Sequence, residues 1–130
     1  MTDPELDYAF LANYASVHDG VLTAVEASFT KILVEDLPTM LTFSVAGRIR
    51  ADANCKEINL GIELISEDTT ATLESVIEND GTNVYGNKVG LVFAAQAGFF
   101  AYSEHLCQVK LSINGTHVRT LKFDVTQAGA

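Results

Sequence analysis

The chain has 130 residues, 48% of them hydrophobic, and carries a formal net charge of −9 from 17 acidic and 8 basic side chains. This length and hydrophobic content predict one globular domain with a core of its own, and they exclude a disordered chain. The negative charge argues against binding to nucleic-acid phosphates, which needs clustered Lys and Arg side chains.

The first predicted element spans YAFLANYASVHDG, residues 8–20. Helical spacing would align Tyr8 with Leu11 and Ala15, so a helix remains an alternative. The Asp-Gly step and the alternating, β-branched run VLTAVEASF that follows it are typical of a hairpin instead. We therefore predict a strand over residues 8–17 that is largely buried on both of its faces.

Two long alternating runs in the middle of the chain predict a second hairpin. Their apolar side chains fall on one face of each run, at Leu41, Phe43, Val45, Ile49, Ile58, Leu60, Ile62 and Leu64. A loop over residues 52–55 would place Ile49 opposite Ile58 and, on the polar face, Arg50 opposite Glu57. Apolar and charge matching agree in this register, which favours direct pairing of the two strands.

Further strands are predicted near residues 21–34, 70–78 and 89–95. Residues 94–102, AAQAGFFAY, fit either a short helical turn or a bulged strand.

The last two alternating runs, joined by SINGTHV, predict a closing hairpin. Their inward side chains would be Cys107, Val109, Leu111, Leu121, Phe123 and Val125. A two-residue Asn-Gly loop would pair odd positions with even ones and mix the two faces. We therefore expect a three-residue loop with Gly115 in the left-handed conformation and with Cys107 opposite Leu121.

Two short motifs suggest chemistry that their surroundings do not support. GTNVYGNKV is close to a phosphate-binding loop, but Asn87 separates Gly86 from Lys88, and a strand rather than a helix is predicted to follow. His105 and Cys107 share one strand face, a spacing that suits a metal pair or an activated thiol. No second pair of such residues accompanies them, so we predict a buried thiol beside a packed histidine, with no metal, no cofactor and no catalytic residue.

The stretch DYAFLANYASVHDGVLTAVEASFTKI, the Leu-Pro step before a long alternating strand and the closing hairpin resemble an uncharacterised family of small bacterial proteins, a domain of unknown function. Members of that family typically begin with an Ala-Asp-Tyr-Ala-like strand and an Asp-Gly-Lys-like turn. Asn13 departs from this pattern, and VEASF stands where members often have three glycines. The resemblance implies an all-β sandwich and brings no catalytic residues.

Many short strands with turn signals, and no long helix, predict an all-β, single-domain antiparallel β-sandwich, or a partly open barrel, of about seven to nine strands. We place the β-sandwich domain at residues 7–127, with residues 1–6 as an N-terminal extension and residues 128–130 as a C-terminal tail. The acidic start lacks the basic residues of a signal peptide, so we expect a cytoplasmic protein whose two cysteines are free thiols.

These features predict a non-catalytic module that binds protein, with a second copy of itself as one partner, and that binds neither nucleic acid nor membranes. The predicted partner contacts are aromatic and basic side chains of the first and central strands, namely Tyr8, Phe10, Tyr14, Arg48 and Arg50. Two alternatives stay open. One is an acidic inhibitor, encoded by a phage or mobile element, that occupies a basic site on its partner, and the other is a small enzyme that uses Cys107 and His105.

Overall fold

The structure, a computed structural model, describes residues 3–67 and 69–129, so residues 1, 2 and 130 of the predicted extension and tail lie outside the described residues. Within the described ranges the chain forms ten strands and no helix. The strands are β1 (Glu5–His18), β2 (Val21–Ala27), β3 (Lys31–Val34), β4 (Thr39–Asp52), β5 (Glu57–Ser66), β6 (Thr69–Glu78), β7 (Val84–Tyr85), β8 (Lys88–Ala101), β9 (His105–Ile113) and β10 (Thr116–Gln127). They form two five-stranded sheets, ordered β2-β1-β4-β8-β7 (sheet A) and β3-β10-β9-β5-β6 (sheet B). The predicted all-β sandwich is confirmed, with ten strands instead of seven to nine and with one parallel pair, β3 with β10, among the antiparallel ones.

The hydrophobic core lies between the two sheets, because successive side chains of a strand point to opposite faces. Phe43, Val45 and Ile49 of sheet A are buried there together with Ile58 and Phe123 of sheet B. The rings of Phe43 and Phe123 lie 5.2 Å apart and make an edge contact across the two layers. The inward faces predicted for β4, β5 and β9 are therefore confirmed.

The strands β4 and β5 do not form the predicted hairpin. β4 pairs with β1 and β8, whereas β5 pairs with β6 and β9. The connection after Asp52 therefore crosses from sheet A to sheet B, and the two apolar faces meet across the core. Arg50 forms an ion pair with Glu5, 2.8 Å between Nη2 and Oε2, and not with Glu57. The alternation of apolar and polar residues predicts the same inward side chains whether two strands pair in a hairpin or face each other across a core. The predicted register is wrong because the sequence pattern does not distinguish these two arrangements.

The closing hairpin exists and Gly115 is left-handed, as predicted, but the predicted three-residue length of the loop is wrong. Asn114 and Gly115 form a two-residue turn in which both residues have positive φ, 50° and 85°. An irregularity early in β10 shifts the register there, so Cys107 lies opposite Phe123 and not opposite Leu121. The bulge thus lies in the strand rather than in the turn, and it restores the separation of the two faces.

The segment with two open interpretations, residues 94–102, continues β8 as a strand up to Ala101. β8 pairs with β4 without a register shift from Lys88 to Ala101. The motif that is close to a phosphate-binding loop forms the β7–β8 hairpin, with Tyr85 opposite Lys88. No helix follows that turn, as the sequence predicts.

The first hairpin is confirmed, with His18 paired to Val21 across the Asp-Gly turn. The burial predicted for residues 8–17 is only partly right. Ala12 and Ala15 are buried, whereas Tyr8 and Tyr14 are 38% and 53% exposed. The first half of β1 pairs with β4 and its second half pairs with β2.

The second half of β1 lies over the outer face of β4 and β8 and curls sheet A. The Ala15 N–H donates to Ser44 Oγ (3.0 Å), Ser44 Oγ donates to Gln96 Oε1 (2.7 Å), and Gln96 Nε2 donates back to the Ala15 carbonyl (2.9 Å). Around this network the fully buried Ala12, Ala15 and Ala46 form a second, smaller apolar cluster. Small side chains allow the two layers of backbone to approach closely here.

Candidate functional site

An arginine flanked by two tyrosine rings lies on the outer face of sheet A. The guanidinium carbon of Arg48 is 5.5 Å from the ring centroid of Tyr8 and 6.0 Å from that of Tyr85. The two tyrosines are 38% and 46% exposed. We call Tyr8, Arg48 and Tyr85 the tyrosine–arginine surface. Each exposed cation–π contact contributes about 0.5–1 kcal/mol, so the three side chains support one another's positions.

An acidic side chain of β1 orients Arg48. Arg48 Nε donates a hydrogen bond to Asp7 Oδ2 at 2.8 Å, and Arg48 Nη2 donates to the same oxygen. This hydrogen bond raises the pKa of the Arg48 guanidinium above its usual value, with a further contribution from the carboxylate charge. The neighbouring Arg50 is bound in the same way, by Glu5 at 2.8 Å and by Asp7 at 3.8 Å. Both cations are therefore partly neutralised by β1.

A glycine in β4 allows β1 to bring Tyr8 to this place. A Cβ atom at Gly47 would overlap the Tyr8 carbonyl oxygen, and it would lie 2.9 Å from Ala9 Cα and 3.0 Å from Phe93 Cζ. The pairing of β1 with β4 is irregular at the same point, between Leu6 and Tyr8. The close approach thus requires a residue without a side chain.

The third member, Tyr85, comes from the short β7–β8 hairpin. Gly86 has a positive φ of 55° in the turn of that hairpin. The turn reverses the chain directly after Tyr85 and leaves this side chain beside Arg48.

A groove of about 470 Å³ opens next to the tyrosine–arginine surface. It runs between the tip of the β1–β2 hairpin and residues 82–85, and its apolar and aromatic walls are formed by Tyr8, Val21, Leu22, Val84, Tyr85 and Val92. Asn83 fixes the hairpin tip by donating from Nδ2 to the Gly20 carbonyl oxygen at 2.7 Å. The groove is thus bounded by two hairpins that are hydrogen-bonded to each other.

Most of the predicted partner contacts share this face of sheet A. Tyr8 and Arg48 belong to the surface itself, and the Phe10 ring stacks beside Tyr8 with centroids 6.3 Å apart. Arg50 lies next along β4. Tyr14 does not join them, because it belongs to the half of β1 that pairs with β2.

Neither Tyr85 nor Asp7 could be found from the sequence. Tyr85 lies in a stretch whose polar composition indicated only a loop, and the pairing of β1 with β4 and of β4 with β8 is what brings residue 85 close to residue 8. Asp7 lies next to Tyr8 in the sequence, and an acid directly before an aromatic residue carries no signal of the arginine that it binds.

A second cluster of polar side chains lies in sheet B, at the end where β5 finishes and β9 begins. His105 Nε2 is 2.8 Å from Ser66 Oγ and 3.1 Å from Cys107 Sγ. His105 Nδ1 is 2.7 Å from the Ser103 carbonyl oxygen and 3.3 Å from Glu67 Oε1. Because a carbonyl oxygen only accepts, the neutral ring carries its proton on Nδ1, and Nε2 then accepts a hydrogen bond from the Ser66 hydroxyl.

The order Ser66, His105, Glu67 matches that of a hydrolytic triad, but the surroundings do not provide a substrate site. Ser66 is 4% exposed, and Cys107 is completely buried. Burial raises the pKa of the Cys107 thiol to about 11, so the thiol stays protonated at neutral pH. The buried thiol beside a packed histidine is thus confirmed.

Glu67 ties this cluster to the turn before β9. Its Oε1 accepts hydrogen bonds from the Ser103 hydroxyl at 2.7 Å, from the Ser103 N–H at 2.8 Å and from the Tyr102 N–H at 3.3 Å. The Ser103 hydroxyl in particular lowers the pKa of the Glu67 carboxyl group, and His105 contributes in the same direction. The cluster therefore joins the β5–β6 and β8–β9 connections.

Comparisons with protein-family models, with curated proteins and with solved structures found no match to this chain. The resemblance to a family of small bacterial proteins therefore stays a prediction. Both cysteines are free. Among residues 3–67 and 69–129 there is no helix with the length and apolar character to cross a bilayer, and no group of three or more His, Cys, Asp or Glu side chains that could hold a metal ion.

Proposed function

We propose that the protein is a non-catalytic module that binds another protein through the tyrosine–arginine surface and the groove beside it. The observation that carries this proposal is the packing of Arg48 between two exposed tyrosine rings. Tyrosine and arginine are the residue types most enriched, with tryptophan, among the side chains that dominate binding energy at protein interfaces.

The shape of the surface also supports a protein partner. The groove walls are formed by valine, leucine and tyrosine side chains, with Val21 64% and Val84 46% exposed. An apolar or aromatic side chain of a partner would cover them, while Arg48 and Asp7 offer polar contacts at one end. This combination of an apolar centre and a polar rim is typical of specific protein interfaces.

The charge distribution favours protein over nucleic acid. Arg48 and Arg50 each contact an acidic side chain of β1, and the whole chain carries a net charge of −9. A phosphate backbone would meet repulsion over most of the surface. We place the module in the cytoplasm, where two free cysteines remain reduced.

The enzyme alternative is less well supported. Its nucleophile would be Cys107, which is completely buried and has a pKa of about 11. A reactive cysteine needs an accessible thiolate near neutral pH. We therefore propose that the cluster of Ser66, Glu67 and His105 has a structural role in joining two turns.

Peptide selection tests the proposal without assuming a particular partner. A phage-displayed library of random peptides is selected on the immobilised protein, and the affinity of the recovered peptides is measured for two variants. We expect Tyr85→Ala to weaken binding at least about tenfold, the loss expected for an interface residue of this kind. Tyr14→Ala is the matched control, because Tyr14 is similarly exposed but lies outside the surface. Peptides that bind the Tyr85→Ala variant as tightly as the parent, or a selection that yields none, would contradict the proposal.

A further inference from the structure

The strand β6, at the outer edge of sheet B, lacks the features that usually protect an edge strand. It pairs with β5 along all ten of its residues without a register shift, and it contains neither Pro nor Lys. Every residue of β6 except Ile77 is exposed. By contrast, β2 has a left-handed residue at Glu26, and β3 has only four residues. Distortion and short length protect those edges from pairing, and β6 has neither.

The free backbone groups of β6 can be assigned from one hydrogen bond. The Asn79 N–H donates to the Lys56 carbonyl oxygen at 2.9 Å, in register with the β5–β6 ladder. Because N–H groups alternate between the two edges of a strand, odd-numbered residues of β6 bond to β5. The even-numbered residues of β6 therefore present unpaired N–H and C=O groups at the edge. Thr70, Thr72 and Glu74 are among them.

The inner side of β6 borders an opening into the sandwich. A slot of about 190 Å³ separates β6 from β8, and it is lined by Val45, Ile62, Leu64, Ala71, Leu73, Ala95 and Ala97 among others. Leu73 faces this slot and is still 46% exposed. The edge thus combines unpaired backbone groups with an apolar side chain that nothing covers within the described residues.

We propose that a second copy of this chain pairs its own β6 with this β6 in antiparallel orientation, with Leu73 on the two-fold axis. The two copies of sheet B would become one ten-stranded sheet, and each Leu73 would cover the other. Because the same edge is used by both copies, the assembly is a closed dimer.

The register follows from the faces and from one acidic residue. In a continuous sheet, the core-facing residues of one β6 must lie opposite core-facing residues of the other β6. Two registers meet this condition and pair nearly the whole strand, one with Leu73 on the two-fold axis and one with Glu74 on it. With Glu74 on the axis, two carboxylates would lie directly opposite each other, which is destabilising. With Leu73 on the axis, Glu74 of each copy lies opposite Thr72 of the other, whose hydroxyl can donate to the carboxylate.

The charge distribution also favours β6 over other parts of the surface as the place where two copies meet. Two chains that each carry a net charge of −9 repel each other over most approaches. β6 carries two charged residues, Glu74 and, at its last position, Glu78, so most of the strand offers an approach with little repulsion. Its threonine, leucine, valine and isoleucine content is also typical of strands that pair.

Disulfide trapping tests the register. Leu73 would lie in a non-hydrogen-bonded pair with itself, where Cα atoms are about 4.5 Å apart and a disulfide can form. We expect Leu73→Cys to give a covalent dimer under mild oxidation. Val76→Cys is the matched control, because Val76 is as exposed but would lie opposite Thr70. The parent protein, oxidised in parallel, accounts for Cys55 and Cys107.

Sedimentation of the parent protein over a concentration series provides the second measurement. We expect a reversible dimer of the 14.0 kDa chain, which Leu73→Lys abolishes by placing two ammonium groups face to face. Tyr85→Ala should leave the dimer intact, and circular dichroism should show native strand content for every variant. A strict monomer, or cross-linking of Val76→Cys as fast as that of Leu73→Cys, would overturn the proposal. Because Tyr85 belongs to another surface, neither result would affect the proposed function.

Discussion

Burial determines the chemistry of Cys107 more than its hydrogen-bonding neighbours do. Desolvation of the thiolate raises the pKa of the thiol to about 11, although a hydrogen bond with Ser66 acts in the opposite direction. A cysteine beside a histidine is a frequent arrangement for a nucleophile, yet here the same pair is packed into the end of a core. The position of the thiol relative to solvent decides which of the two roles it has.

This shift in pKa predicts a pH dependence of stability. The folded thiol keeps its proton up to about pH 11, whereas the ordinary pKa of a solvated cysteine thiol is 9.0. Between these values the unfolded chain binds fewer protons, so the free energy of unfolding falls as pH rises. Chemical denaturation should show a loss of about 2–3 kcal/mol across this window in the parent relative to Cys107→Ala.

The comparison with Cys107→Ala removes the contribution of other groups that titrate at high pH. If the two proteins lose stability in parallel, the Cys107 thiol is not buried in the folded state. Fast modification of Cys107 by a thiol reagent at neutral pH would contradict the same picture.

At the level of single residues, the sequence predicted side-chain direction well and contacts poorly. Alternation placed Cys107 and Phe43 in the core, because a strand with one buried face needs a period of two. It could not place Ser66 beside His105, since 39 positions separate them and only the pairing of β5 with β9 brings them together. Arg48 was a predicted contact, but its tyrosine partner at position 85 was not.

Among the strands, β4 is the one on which the architecture depends most. It pairs with β1 on one side and with β8 on the other, and its inner face contributes Phe43, Val45 and Ile49 to the core. Its close approach to β1 depends on Gly47. The pairing of β1 with β4 is irregular at the same point, between Leu6 and Tyr8.

A methyl group at this position should therefore be costly. Gly47→Ala would force the Cβ atom into the Tyr8 carbonyl oxygen and Ala9 Cα, and both of these are backbone atoms that cannot rotate away. We expect a loss of about 1–3 kcal/mol in the free energy of unfolding, as for other overpacked sites. Urea denaturation measures this loss from the shift in midpoint.

Gly61→Ala is the matched control for that experiment. Gly61 lies in β5, where a Cβ atom would be 3.6 Å from Ser112 Cβ, an ordinary contact distance. Alanine is favoured over glycine inside a strand by about 0.5–1 kcal/mol, so this variant should be at least as stable as the parent. Equal destabilisation of the two variants would show that the close approach at Gly47 is not the cause.

The strands also show where pattern-based prediction stops. The hairpins β1–β2 and β9–β10 could be predicted because a short turn separates strands that pair. β4 and β5 are just as close in sequence, and a predicted register matched Ile49 with Ile58, yet the chain crosses between sheets after Asp52. Two facing strands and two paired strands bury the same residues, so alternation does not distinguish them.

Over the whole molecule, acidic side chains outnumber basic ones and some of them face each other. Glu57 of β5 lies directly opposite Glu78 of β6, and both are exposed on the outer face of sheet B. Like charges at opposed positions in a sheet are destabilising. The net charge of −9 adds a general repulsion, which is stronger in the folded state because folding brings the acidic side chains closer together.

Removing one of these charges should stabilise the protein. We expect Glu57→Gln to raise the free energy of unfolding by about 0.2–1 kcal/mol at low ionic strength, and 1 M NaCl should remove most of the gain by screening. Thermal unfolding at two salt concentrations measures both effects. Glu63→Gln is the control, because Glu63 has Lys110 opposite it on β9 and should gain nothing. An equal gain from both variants would indicate net charge alone as the cause.

The crossing between the sheets also affects how the protein is made. β5 can pair with β6 as soon as both have left the ribosome, but its other edge must wait for β9. Ser112, the partner of Gly61, follows the end of β6 at Glu78 by 34 residues, so at about 5–20 residues per second the wait lasts roughly 2–7 s. During that time the free edge of β5 is open to pairing with other nascent chains, which is a risk of aggregation. Glu57 and Glu78, which lower the stability of the finished sheet, are expected to repel other nascent chains at this stage.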